Sequence, residues 1–306
     1  MVELAKEFVP CVDEVWRLQN RQDPDCRHFQ RYMEEGHMRG VPNTKQGIYA
    51  ATPSGMFLAS TNTLDGGQMA EMLRRALERW KTISKKDRLL AEDPTQSRID
   101  RSEGRYPKDG LVLKVYSRDL QRDDLPNDWT GAAWNLDFAW FRREETRSLL
   151  PAGLTKGAKV DWPEALAKRL ARFHLLDNVR GQTDAYEDGQ IVEARVTTEV
   201  VKVAKGVVTV RFSGATRAST TGRWPEPPDP ATRGLGTKIM GTAAYDPAKE
   251  KFTAFELVAS GTRWGMTRFN FRETDRKPGP IGFVLTLAAD APQERAAPAF
   301  FGQYRW

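Results

Sequence analysis

Ile191-Val192-Glu193-Ala194-Arg195-Val196-Thr197-Thr198-Glu199-Val200-Val201-Lys202-Val203, then Ala204-Lys205-Gly206, then Val207-Val208-Thr209-Val210-Arg211-Phe212, is the stretch that decides the class of the larger part of this chain. Val208, Val210 and Phe212 point one way and Thr209 and Arg211 the other, the period-2 alternation of a half-buried strand. Ala204-Lys205-Gly206 is short enough to join the two runs as a hairpin. Downstream, Thr237–Tyr245 and Phe252–Ala259 flank Asp246-Pro247-Ala248-Lys249-Glu250 in the same way, and Ile281–Leu287 is a further strand. Upstream lie strands at Leu111–Tyr116 and Trp134–Phe141, and a helix opened by Trp162-Pro163 that carries Leu166, Leu170 and Phe173. Sequential antiparallel strands with one apolar and one wet side predict a β barrel or sandwich with one or two helices over residues 110–306.

Residues 84–109 differ in texture. Ser84-Lys85-Lys86-Asp87-Arg88 and the polar run from Gln96 to Gly104 lack apolar periodicity and read as a charged linker with at most a short helix. Residues 1–83 alternate strand-like and helix-like patterns. Phe8 to Trp16 is a short, strand-like apolar run. Asp23-Pro24 opens a helix, with Asp23 as the cap and Pro24 at the first helical position, and Gly36 closes it. Ile48–Ala51 and Met56–Ser60 flank Thr52-Pro53-Ser54-Gly55, a turn between two apolar runs and so a hairpin. Met69, Met72, Leu73, Ala76, Leu77 and Trp80 then recur at helical spacing, an amphipathic helix whose stripe is packing rather than a cofactor box.

Gly36-His37-Met38-Arg39-Gly40-Val41-Pro42-Asn43-Thr44, with the hairpin and helix after it, resembles the second half of a thioredoxin-like domain. The resemblance implies an α/β module in which Pro42 is the cis-proline that precedes the antiparallel strand pair. It also implies a Cys-x-x-Cys active site, and this chain has none. Only 15 residues separate Cys26 from Pro42. That is too few for the helix, strand and helix the family places there, so the registration puts the redox segment upstream of Met1: either the sequence starts late, with a secretion signal ahead of it, or the module has lost both the thiols and its first strand, and the compartment is not read from the sequence.

With 306 residues there is room for about two domains of roughly 150 residues. Nine Trp, fourteen Phe and seven Tyr exclude a disordered chain. No apolar run approaches the ~20 residues of a membrane-spanning helix. Forty-seven Lys and Arg against 41 Asp and Glu leave +6, with the signs interleaved, which argues against a nucleic-acid face. Arg211, Arg217 and Arg223, ending beside Trp224, come nearest, spaced as on the wet face of a strand.

Two cysteines exclude a disulfide framework and an all-thiolate zinc site. Cys26, in the first turn of its helix, is the redox candidate; its neighbours Phe29 and Met33 put it on the apolar face, where an inert core cysteine is expected. His28 and His37 do not converge with it, so no metal site is expected, and His174 reads as a hydrogen-bonded core histidine. Gly234-Leu235-Gly236 precedes a strand and fits strand bending better than phosphate binding. Trp134, Trp140, Trp224 and Trp264 are the candidates to line a pocket in the β domain. The expected function is a binding or interaction protein: a redox-inactive thioredoxin-like module before a β domain for a protein or small-molecule ligand, with no cofactor. The rival is a thiol-disulfide oxidoreductase using Cys26 or upstream cysteines, and a structural component of an assembly is a third class.

Overall fold

The computed structural model describes residues 2–13, 15–22, 24–42, 44–89 and 102–306. It divides into two compact units, Met1–Asp100 and Arg101–Trp306.

The first unit opens with the short helices α1 (Val2–Ala5) and α2 (Val15–Asn20), then α3 (Pro24–Met33). Pro24 stands at the first position of α3; Asp23 lies outside the described residues. Strands β1 (Ile48–Ala51) and β2 (Phe57–Thr61) form the expected hairpin, with Ala50 opposite Ala59. Helix α4 (Gly66–Thr82) follows, capped by the Asp65 carboxylate, which accepts from the Gln68 N–H at 2.7 Å. Its stripe does what the periodicity predicts: Met72, Leu73 and Ala76 pack on Ala50, Leu58 and Ala59 of the hairpin. A single turn, α5 (Lys85–Arg88), begins the predicted linker, whose residues 90–101 lie outside the described residues.

Two expectations for this unit are corrected. The run from Phe8 to Trp16 is not a strand: it enters α2, and Val9, Val12 and Trp16 are exposed. A strand is held by a neighbour, and the described sheet here contains β1 and β2 alone. Nor is Pro42 a cis-proline; the cis bond among the described residues joins Glu226 to Pro227. Residues 36–41 instead coil into turns, with Arg39 N–H on the Gly36 carbonyl and Val41 N–H on the Met38 carbonyl. The buried Lys45 ammonium, 3.0 Å from the carbonyls of both Met38 and Val41, holds them there.

The second unit is one antiparallel sheet of eight strands. In chain order they are β3 (Leu111–Asp119), β4 (Trp134–Phe141), β5 (Lys159–Asp161), β6 (Ile191–Ala204), β7 (Val207–Ser219), β8 (Gly234–Asp246), β9 (Lys251–Trp264) and β10 (Gly279–Leu287). Across the sheet the order is β4-β3-β10-β9-β8-β7-β6-β5. Helices α6 (Trp129–Ala132), α7 (Arg143–Ser148) and α8 (Glu164–Arg169) interrupt the strands, and α8 runs on as a π turn over Leu170–His174.

Neither barrel nor sandwich forms. The inner face, with Leu113, Val196, Val210, Ile239, Leu257 and Phe283, buries itself against Leu166 and Leu170 of the α8 segment rather than against a second sheet. That segment fills the space a closed barrel would need, and the far edge strand β5 has only three residues to offer. The other edge, β4, is masked by the chain end. Ala299 N–H donates to Asp137 at 2.9 Å, and Tyr304, with Phe300, Phe301 and Trp306, packs over Val112, Phe138 and Trp140.

Candidate interaction site

At one end of the sheet, side chains far apart in sequence build a buried ion network. Asp119 ends β3, Arg263 lies near the end of β9, Asp177 and Arg180 follow the π turn, and Arg272 and Asp275 lie in the β9–β10 loop. The Arg272 guanidinium sits between two carboxylates, 2.7 and 2.9 Å from the Asp119 oxygens and 2.9 and 2.7 Å from those of Asp177. Asp275 Oδ2 collects Arg263 at 2.6 Å, Arg122 at 2.7 Å and Arg180 at 2.8 Å. At the solvent-exposed rim Asp124 stands 3.0 Å from Arg122 Nε, so that three buried or part-buried carboxylates and one exposed one face four guanidiniums. Each carboxylate is held by at least one guanidinium, while the Nε atoms of Arg122, Arg180 and Arg263 are buried without a hydrogen-bond partner among the described residues.

Burial alone would raise the Asp119 carboxyl, but its hydrogen bonds to Arg272 and the charges of Arg272, Arg263 and Arg180 outweigh that and hold it below the ordinary range. For Asp275 burial again opposes, and Arg263 and Arg122 carry it down to about 2. A carboxyl depressed in the folded state stabilises the fold above its unfolded pKa, and that contribution is lost as pH falls through the folded value. The urea midpoint of the protein, followed by tryptophan fluorescence, is therefore expected to fall steeply between about pH 4 and pH 2. An acid-insensitive midpoint across that window would contradict the assignment.

The network pins a loop that presents aromatic rings. Between the buried side chains of Asn270 and Arg272, Phe271 takes φ +52° and is 44% exposed. A bulky residue in the left-handed region costs roughly 1–2 kcal/mol and persists only where its neighbours impose it. They do so here: Asn270 Oδ1 accepts from Thr267 N–H at 2.9 Å, and the Phe269 carbonyl accepts from Gln182 N–H at 2.9 Å. Gly181 permits that approach, since a Cβ there would stand 2.2 Å from the Phe269 carbonyl oxygen. Phe269 is 56% exposed with the Arg268 guanidinium 5.0 Å above its ring, and Trp129, 51% exposed, meets Phe271 edge to face at 5.4 Å.

The predicted tryptophans stand in separate places. Trp224 and Trp264 meet edge to face at 4.8 Å, and the buried Trp264 donates from Nε1 to Thr232 at 3.1 Å. Glycines of β8 seat these rings: a Cβ at Gly234 would stand 2.0 Å from the Trp264 ring, and one at Gly236 2.4 Å from that of Trp224. Trp140 is buried under the chain end, while Trp134, on the same strand, is exposed beside Tyr116. None of the four lines the open depressions of about 250 Å³ (Thr209, Thr242, Phe255, Glu256) or 340 Å³ (Pro107, Arg142, Glu144).

Cys26 is fully buried in α3 with its sulfur 3.4 Å from the Arg17 carbonyl, whereas Cys11 is exposed. His174 is the hydrogen-bonded core histidine expected, bonded to Tyr304 and 3.4 Å from Asp137. Arg211 pairs with Glu199 at 2.8 Å and Arg217 with Glu193 at 3.5 Å, and Arg217 also lies 5.4 Å over the Trp224 ring, so two of the three arginines before Trp224 have a carboxylate alongside. Among the described residues no group of three His, Cys, Asp or Glu side chains could hold a metal ion, and no helix is long and apolar enough to cross a membrane.

No known protein family, curated protein or solved structure matches this chain. Its function is therefore read from its own geometry.

Proposed function

We propose that this is a binding or interaction protein whose β unit supplies the partner surface through Trp129, Phe269 and Phe271. The observation that carries the reading is the strained Phe271, held outward between the buried Asn270 and the buried, ion-paired Arg272. Exposed aromatics with an arginine alongside, fixed before binding, are the composition of interface anchors, because little side-chain entropy remains to be lost on association. In this reading the first unit is a redox-inactive thioredoxin-like module. Its hairpin followed by the packed α4 supports the likeness, and the burial of Cys26 speaks against thiol chemistry at that residue, since a reactive thiolate needs access.

The test is photo-crosslinking. With a benzophenone amino acid at position 269, irradiation in an extract of the source cells is expected to yield one dominant adduct. That adduct should vanish from a Trp129→Ala, Phe271→Ala background and be absent with the probe at the exposed turn position 249. Equal labelling from 269 and 249, or an adduct indifferent to the two alanines, would overturn the assignment.

A further inference from the structure

The outer face of the eight-stranded sheet carries an apolar row that the aromatic loop does not use. Leu136, Tyr116, Val284, Val258 and Met240 stand directly opposite one another on five consecutive strands, β4-β3-β10-β9-β8. Met240 is 66% exposed, and Leu136 and Val284 are exposed as well. At about 4.8 Å per strand the row is roughly 19 Å long. Its step is close to the ~5.4 Å turn of an α-helix.

The two flanks of the row differ. On one side Trp134, Arg118, Gly282, Ser260, Lys238, Ala215 and Arg195 follow in register; Arg118, Lys238 and Arg195 are exposed, and none has an ion pair among the described residues. On the other side the cations are engaged, Lys114 with Glu294 at 2.8 Å and Arg211 with Glu199 at 2.8 Å, and the exposed Glu256 stands between them. The chain end already lies over the neighbouring part of this face, covering Val112, Phe138 and Trp140 and setting Glu294 on Lys114. The free row continues from the border of that contact.

We propose that this row docks an amphipathic helical segment of a protein partner, one that carries aspartate or glutamate along a single side of its apolar stripe. The unpaired cations would meet those carboxylates. Glu256 and Glu199 on the opposite flank disfavour a uniformly anionic surface such as a lipid headgroup layer or nucleic acid.

The probe is a pair of synthetic helical peptides of about 14 residues, roughly 20 Å long, with one leucine stripe flanked on one side by glutamate or by lysine. The whole protein is expected to bind the glutamate form, and Arg118→Glu with Lys238→Glu to weaken it at least roughly tenfold while strengthening the lysine form. Met240→Asp should abolish both. These side chains are exposed, so the fold does not depend on them. Equal affinity for both peptides, no saturable binding up to about millimolar, or tighter binding to phosphatidylglycerol vesicles overturns the proposal. Loss of binding on Phe271→Ser with none on Met240→Asp does so too, because the peptide then sits on the aromatic loop. Peptide binding indifferent to Phe271→Ser stands whatever the crosslinking from position 269 returns.

Discussion

Replacing Arg272 by alanine is expected to cost the β unit about 3–5 kcal/mol, the loss typical when one partner of a buried ion pair is removed. Asp119 and Asp177, both buried, each lose two hydrogen bonds to the same guanidinium. Against a total stability of roughly 5–15 kcal/mol for a domain, the loss takes a large share. A pH signature separates this cause from a simple packing defect. In the variant Asp119 keeps Arg180 at 2.8 Å but loses the guanidinium that does most to hold its carboxyl low, so less of its stabilisation remains to be lost on acidification, and the deficit should narrow between pH 7 and about pH 3. Urea midpoints of both proteins at the two pH values give the answer. A deficit below about 1 kcal/mol, or one constant with pH, would show that the network is not a pin.

Trp140→Ala is expected to cost about 3–5 kcal/mol as well, by a different route. The ring is fully buried between strand and chain end, 5.4 Å from Tyr106, 5.2 Å from Phe301 and 6.4 Å from Trp306. Its loss opens a cavity too large for neighbours on a strand to fill, and it removes the seat of residues 300–306. Limited proteolysis should therefore clip the variant near Phe300 or Tyr304 at protease concentrations that leave the parent intact. A variant with a lowered midpoint and a protected chain end would mean that the tail is held by Ala299 on Asp137 and by Tyr304 on His174 instead.

What could be read in advance follows from the range of the forces. The hairpin from Ile191 to Ser219, the β8–β9 pair and the α4 stripe are local patterns, in which alternation or helical spacing, and a short turn where one is needed, lie within one window of sequence. The open sheet was not legible, because its form is decided by where the α8 segment docks and by the pairing of β10 with β3, Ile281 opposite Asp119. The site was less legible still. Arg272 reaches Asp119 across 153 residues and Asp177 across 95. Nothing in either neighbourhood marks an aspartate that will be buried. Phe269-Asn270-Phe271-Arg272 carried the available signal, two aromatics alternating with two polar residues in a loop, which is an odd pattern for a segment expected to be wet. The strand-like reading of Phe8 to Trp16 failed for the converse reason, since apolar composition nominates a strand but a paired neighbour makes one.

The most direct test of the binding role is an equilibrium titration of the partner captured at position 269 against the protein and its Trp129→Ala, Phe269→Ala and Phe271→Ala forms, with urea midpoints measured alongside. At least two of the three should weaken binding by roughly tenfold or more while the midpoints hold, as expected of aromatic anchors on an independently stable scaffold. Undiminished affinity in all three variants would contradict the account.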